Sequence, residues 1–423
     1  MKRNLNDQNV WAMTKTLTSI GSGLLLATAV SVGTILPGGA ATFGDDLSFL
    51  QKNKQVIVLS DSRGEAKVAV VADYQGRVMT STATGDSGLS CGWLNRALIA
   101  SGQWQKHINA FGGEDRFWLG PEGGQYATFF APGATFDLEH WFTPPAVDSD
   151  SFKTVKQSSS KASFVHSFSL ANYAGTTFDV RAEREVRLLT PGSAWSKLKM
   201  KKVAGVKVVA YESANKITNA GKRPWKKDTG LLSVRIGGAF NPSPVTTIVV
   251  PIVPGPEEAL GTKVTSDYFG QVPSERLVVK DRAIFFSGDG KYRSKIGINP
   301  KRSKAVLGSY DAANKALTII QFSQPTGVSD YVNSLWKIQD KPYAGDAANS
   351  YNDGPASPGR APLGPFYEME SSSPAAALGP GKSLTHLHRT IHLVGTEAQL
   401  DRIAKAVLGV SLEEITTALP AAK

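Results

Sequence analysis

Apolar and polar positions alternate with a period of two over most of this chain. Residues 55–60 (QVIVLS), 66–72 (AKVAVVA) and 77–83 (RVMTSTA) are separated by Arg63-Gly64 and Gln75-Gly76, as expected of short strands joined by tight turns. Residues 163–170, 177–189 and 203–210 alternate as half-buried antiparallel strands do. The runs 231–236, 245–252, 276–280, 283–287, 304–310 and 316–322 are each bounded by Gly, Pro or Asn, and 126–130 is a further β-prone run. Between them, 211–230 reads as an irregular connection and the lysine-rich stretch 197–207 as an exposed hairpin or guarded edge. Residues 340–364 read as a long loop. Helical periodicity is confined to the ends. Residues 45–52 are a short helix candidate. Thr396 with Gln399, and Ser411 with Glu414, have capping-box spacing. Leu400, Ile403, Ala404 and Val407 share one face, and Gly409 stops that helix. The pattern predicts a mainly β, antiparallel body with short C-terminal helices docked on it and no parallel α/β domain.

The first 41 residues depart from this pattern. Lys2, Arg3 and Lys15 precede an uncharged run with an apolar core at 24–36 (LLLATAVSVGTIL), then Pro37-Gly38-Gly39 and the small residues Ala40-Ala41. This is the layout of an export signal, with an uncleaved anchor as the competing reading. The domain plan is therefore 1–41 as signal peptide, 42–395 as the β domain and 396–423 as the C-terminal helices. A periplasmic or secreted location follows, with no membrane contact beyond the signal.

Composition narrows the picture. A chain of 423 residues with 41% apolar and 20% charged residues can bury a large core, and Gly 41 with Pro 23 suits a turn-rich β protein. The single cysteine, Cys91, excludes an intramolecular disulfide and any multi-cysteine zinc site. A net charge of +11 favours anionic surroundings. No zinc finger, RNA-binding motif or basic helix accompanies it, so acidic glycans are better candidates than nucleic acid.

Two stretches carry the candidate chemistry. Residues 107–150 gather His107, Asn109, Glu114, Asp115, Arg116, Glu122, Glu139 and His140 among Trp118, Trp141 and several phenylalanines. Aromatic faces cover the C–H side of a pyranose while charged and polar groups take its hydroxyls. In residues 364–393, Glu368 and Glu370 share one strand face, as do His386, His388 and His392 on the next strand. Same-face histidines suggest metal ligation, but no further ligand stands at close spacing, and Asp346, Asn349, Asn352 and Asp353 fit no calcium loop. No metal and no cofactor are expected. The two stretches should converge on one concave pocket.

Gln75-Gly76-Arg77, the block GGEDRFWLGPE at 112–122, and FYEMESSSP at 366–374 followed by LGPG at 378–381 together resemble the galactose mutarotase-like (aldose epimerase-like) superfamily, most closely an exported bacterial branch. The resemblance runs from about residue 45 to 393. It implies an antiparallel β-supersandwich whose concave face holds a carbohydrate site. It also implies Glu368 or Glu370 as a base, His107 or His140 as an acid, and Arg77 as a hydroxyl ligand. Asn109, Glu114, Asp115, Arg116, Trp118, Trp141, His386 and His388 complete the expected substrate contacts. The spaced histidine pair and aspartate of true mutarotases are not found in register. Two function classes fit: a sugar epimerase-like or lyase-like enzyme working by carboxylate/histidine proton transfer, and a noncatalytic glycan-binding protein.

Overall fold

The structure, a computed structural model, describes residues 41–420. The leader reading therefore falls, except for its last residue, outside the described residues. In chain order the strands begin with β1 (Val56–Ser60), β2 (Lys67–Val71), β3 (Arg77–Thr82), β4 (Arg116–Gly120), β5 (Lys153–Gln157) and β6 (Lys161–Ala171). They continue with β7 (Thr177–Leu188), β8 (Lys207–Asn219), β9 (Ser233–Phe240), β10 (Thr246–Pro251), β11 (Leu277–Val279) and β12 (Ala283–Ser287). The last are β13 (Ser294–Ile298), β14 (Val306–Asp311), β15 (Ala316–Phe322), β16 (Ala348–Asn352), β17 (Tyr367–Ser372) and β18 (Ser383–Val394). They form a ten-stranded sheet, β11-β12-β10-β14-β15-β18-β8-β7-β6-β5, a five-stranded sheet, β13-β16-β17-β9-β4, and a three-stranded sheet, β1-β2-β3. Every paired strand runs antiparallel. The fold class is thus mainly antiparallel β, as the period-two pattern predicts.

Apolar side chains of all three sheets meet in one core. Val68, Val70 and Val78 of the small sheet join Phe117, Val234 and Ile236 of the five-stranded sheet and Phe164, Val180 and Ile217 of the large one. The outer face of the large sheet is covered by the helices Glu397–Val407 and Leu412–Thr417, whose Leu400, Ile403, Leu412 and Ile415 pack on Val249, Phe285, Ile319 and Ile391. Both capping boxes are formed, each side chain satisfying the other's orphan backbone N–H. No helix among the described residues is long and apolar enough to cross a membrane.

Where the pattern and the structure differ, buried polar residues or loop packing are the reason. Residues 211–219, read as irregular, continue β8, whose inward positions include Ser213, Asn215 and Asn219, all buried. β16 crosses the supposed long loop for the same reason, since its residues ANSYN are all buried though mostly polar. The lysine-rich stretch follows a helix, Pro191–Lys197, capped by Thr190 and started by proline, and runs through turns into β8 in place of forming a hairpin edge. The first helix starts at Phe43 with Thr42 as its cap. Residues 126–130 form no strand; Ala127, Phe129 and Phe130 are buried from a turn-rich loop.

Alternation decides which residues face the site. On β17, Tyr367, Met369 and Ser371 point at the large sheet, where the Tyr367 and Ser309 hydroxyls lie 2.8 Å apart. Glu368 and Glu370 must then point to the opposite, open face. Register extends this across the sheet: Lys295 pairs with Tyr351 and Tyr351 with Glu368, while Glu370 pairs with Gly237 and Gly237 with Arg116. Arg235 pairs with Trp118.

Candidate functional site

The open face of the five-stranded sheet floors a cavity of about 490 Å³, within the ~300–1,000 Å³ typical of small-molecule sites. Arg116 and Trp118 of β4, Arg235 and Gly237 of β9, Glu368 and Glu370 of β17, and Lys295 of β13 all line it. Two aromatic groups flank that floor. Beside β4, the Trp118 ring stacks on Phe129 (5.0 Å between centroids), Phe129 on Trp141 (5.9 Å) and Trp141 on Trp336 (5.8 Å). On the other side Trp93 stacks on Phe366 at 4.6 Å, and Tyr351 lies between Phe366 and Phe269. Flat apolar faces at both sides of a charged floor suit a ring-shaped polyol.

The floor is an ion network. Arg235 donates from Nη1 to Glu122 Oε1 (2.5 Å) and from Nη2 to Glu370 Oε2. Lys295 Nζ lies 3.4 Å from the same carboxylate, and Trp118 Nε1 donates to Glu122 Oε1 at 3.1 Å. Burial opposes the Arg235 charge, but Glu370 and Glu122 outweigh it and keep the guanidinium ionised. Burial likewise pushes the Glu370 carboxyl up, yet Arg235 and Lys295 overcome it and hold it below its ordinary value. Glu368, two residues away, goes the other way. Burial and the negative charge of Glu370 raise it well above the carboxylate range, against partial opposition from Lys295, Arg235 and Arg116. Two neighbouring carboxyls are thus driven apart: one is a fixed anion, the other holds a proton and opens to the cavity.

His107 reaches the cavity from the loop after the helix Arg96–Ser101. Its ring stacks on Phe142 at 4.5 Å, and Nδ1 lies 2.7 Å from the Trp141 carbonyl oxygen. A carbonyl only accepts, so Nδ1 carries the hydrogen and the neutral ring is left with a lone pair on Nε2. Arg116 is clamped by Asp148 (Nη2 to Oδ1, 2.9 Å) and lies 3.7 Å above the Trp118 ring. Arg77 Nη1 donates to the Gly112 carbonyl at 2.9 Å. Gly112 and Gly113 have φ of 85° and 101°, and a Cβ on Gly113 would meet Arg77 Cδ at 2.8 Å, so this approach needs glycine.

Of the residues anticipated from sequence, Arg77, His107, Arg116, Trp118, Trp141, Glu368 and Glu370 therefore line one cavity. The others are placed elsewhere. His140 is exposed and bound to its own loop, with Nδ1 2.7 Å from Asp137 Oδ1. Asn109 is buried behind the wall, where its Nδ2 donates to Asp148 Oδ2 at 2.6 Å and so steadies the Arg116 clamp. Asp115 and Glu114, just before β4, both turn inward. Asp115 pairs with Arg184 at 2.6 Å, both fully buried, and Glu114 accepts from Ser81, Tyr211 and His392. His386 and His388 lie between the sheets, each within 2.8 Å of Ser371 Oγ, and cannot touch a ligand in the cavity. Burial and the neighbouring His388 hold His386 down at about 3, and burial with nearby Arg184 and Arg389 holds His388 at about 4.

That histidine pair predicts an acid sensitivity. As pH falls below their ordinary 6.5, the unfolded chain takes up two protons that the folded chain refuses until about 4 and 3. The unfolded state binds more protons throughout this window, so the contribution falls as pH drops. Urea midpoints measured between neutral pH and about 4 should fall, and the fall should be shallower in His386→Gln and His388→Gln. Equal slopes in all three proteins would contradict it.

Not anticipated from the sequence were Arg235, Lys295, Arg293, Trp336, Tyr351 and Phe366. Arg235 did leave a signal, since it is a lone cation inside the apolar run VRI, whereas Lys295 follows Lys291 and Arg293 and is not marked in this way. Arg293 packs 3.7 Å from the Phe269 ring, and Arg360 stands exposed at the rim; neither has an ion-pair partner among the described residues.

Residues 41–419 match the model of a family described as a family of unknown function, DUF6786. No curated protein sequence matches the chain. Among solved structures it is similar to the Slr1438 protein of Synechocystis sp., at 11% identity over 80% of this chain and 96% of that one, with a TM-score of 0.46. It is similar to a galactose mutarotase-like protein from Lactobacillus casei at 12% identity over 80% and 100%, TM-score 0.45. A galactose mutarotase related enzyme from Lactobacillus acidophilus gives 10% identity over 81% and 99%, TM-score 0.43. At such identities and TM-scores these likenesses carry no residue role or activity to this chain.

Proposed function

This chain belongs to DUF6786, a family of unknown function, and we propose that its central cavity binds a sugar and moves protons on it. The observation that carries this reading is the pairing on the floor of the cavity of a protonated Glu368 with an anionic, doubly clamped Glu370, in a space that His107 also lines. A carboxyl raised toward neutrality gains and loses a proton cheaply at working pH, whereas Glu370 is too strongly held to do so. Glu368 is accordingly the proton donor, His107 Nε2 the acceptor, and Glu370, Glu122 and Arg235 hold hydroxyls. In ring opening, Glu368 protonates the ring oxygen while His107 takes the proton of the anomeric hydroxyl; ring closure exchanges the two roles. This reverses the roles that the sequence suggests, in which the glutamate is the base and the histidine the acid; Glu368 is chosen over Glu370 by its environment and His107 over His140 by its position. The leader-like residues 1–41 make an exported site of action part of the same proposal.

The test is direct. Anomer equilibration of glucose, galactose, glucuronate and galacturonate is followed by polarimetry, with binding followed by thermal shift. Acceleration of at least one sugar supports the enzyme reading. Binding without acceleration, unchanged in Glu368→Gln, leaves a noncatalytic glycan-binding protein.

The unpaired Arg293 and Arg360 at the rim favour acidic sugars. Affinity for a uronate should fall steeply as salt is raised, and Arg293→Ala should remove much of that dependence, while binding of the neutral sugar changes little. Equal salt dependence for the two sugars would show that the basic balance is only a surface property.

A further inference from the structure

The strongest unassigned cluster lies away from the cavity, where all three sheets meet. Cys91, Glu114 and His392 come together there from distant parts of the chain, with their ligand atoms all within 4.8 Å of one another. Glu114 and His392 are buried, at 0% and 2% exposure, and Cys91 alone retains contact with solvent. Thiolate, imidazole and carboxylate are the three protein donors that zinc-class divalent ions take.

Around these three groups stands a shell that orients them as ligands. His392 Nδ1 lies 2.8 Å from Thr318 Oγ1, which can accept its hydrogen and so direct Nε2 toward Glu114. Metal-bound histidines almost always have such a partner on the other ring nitrogen. Glu114 Oε2 is fixed by the Ser81 and Tyr211 hydroxyls, each donating at 2.9 Å. Its other oxygen, Oε1, is buried without any hydrogen-bond partner, an arrangement that costs free energy unless something binds it. Nε2 and Oε2 stand 2.9 Å apart. An imidazole nitrogen and a carboxylate oxygen so close need a positive species between them, either a proton or a metal ion.

We propose that Cys91, Glu114 and His392 form a structural site for a zinc-class divalent ion that ties the three sheets together. Binding displaces the Cys91 thiol proton and the proton that His392 Nε2 shares with Glu114; both pass to solvent, and the metal takes their place. Three protein ligands leave one position of a tetrahedral ion to a ligand from outside the chain. The sugar reading plays no part in this proposal, and its failure would leave the site untouched.

Cobalt(II) is the probe. The full chain, stripped with a chelator and titrated with cobalt(II), should show a near-ultraviolet thiolate-to-cobalt charge-transfer band saturating at one ion per chain. The band should disappear in Cys91→Ser and weaken at least tenfold in apparent affinity in Glu114→Gln. Zinc(II) should raise the thermal midpoint of the wild type but not of Cys91→Ser. If the serine variant does not fold, modification of Cys91 by a thiol reagent in the wild type decides the matter, since zinc should slow it. No charge-transfer band in the wild type, a band retained in Cys91→Ser, or no protection by zinc would overturn the proposal and leave a hydrogen-bonded ion pair.

Discussion

Glu368→Gln is expected to lower turnover of the sugar that the cavity accepts by about 10²–10⁴-fold, the range of a positioned general acid. Glutamine keeps the size and hydrogen-bonding capacity of the protonated carboxyl, so the sugar affinity should stay close to that of the wild type and the thermal midpoint should not fall below it. The pH profile supplies a second readout. Burial and Glu370 raise the Glu368 pKa, so the donor form is lost, and turnover falls, as pH climbs through that raised value. The same group makes folding stability decline across the window from its ordinary carboxyl value up to the raised one, because there the folded chain holds a proton that the unfolded chain has released. The glutamine variant should lose both the alkaline limb of activity and this slope of stability. A variant with wild-type turnover would remove Glu368 from the chemistry.

The largest effect on stability is expected at Arg184. Its guanidinium is fully enclosed and donates to Asp115 Oδ1 (2.6 Å), the Asp115 carbonyl (2.9 Å), the Gly76 carbonyl (3.0 Å) and Asn215 Oδ1 (2.5 Å). Removing one partner of such a pair leaves a buried charge with no counter-ion, which costs about 3–5 kcal/mol. Arg184→Met should therefore shift the urea midpoint strongly. The double variant Arg184→Met with Asp115→Leu should recover much of the loss, since the stranded anion goes too. A single variant within about 0.5 kcal/mol of the wild type, the span of a neutral surface change, would show that this pair carries little. Arg184 also bridges the large sheet to the turn that carries Arg77 and to the strand entrance of Arg116. Its loss should loosen the cavity wall as well as the core.

Period-two alternation carried most of the β-sheet content, and helical periodicity with capping-box spacing carried the two C-terminal helices, because an element with one buried face must repeat its apolar residues at its own period. The exceptions, β16 and the second half of β8, bury serine and asparagine by hydrogen-bonding them inside the sandwich, so hydropathy alone could not mark them. The candidate residues were legible by type for a similar reason. Glu368 and Glu370 are two apart on a strand and must share a face, and His107, Arg116, Trp118 and Trp141 cluster in one stretch.

Which of those residues meet a ligand was decided only in three dimensions. Glu114 and Asp115 adjoin Arg116 in the chain, yet inward orientation commits both to buried partners while Arg116 faces the cavity. His386, His388 and His392 share a face as their spacing requires, but that face is covered by the five-stranded sheet. The separate fates of Glu368 and Glu370 depend on Arg235 and Lys295, which lie 135 and 75 residues from Glu370 in the chain. Cys91, Glu114 and His392 likewise share no local spacing and come within ligating distance only through sheet packing. Local sequence determines which face a residue can occupy, because backbone geometry repeats over a few residues. The pairing of charges and donors across that face depends on strand order and sheet stacking, which bring together groups that no local period relates.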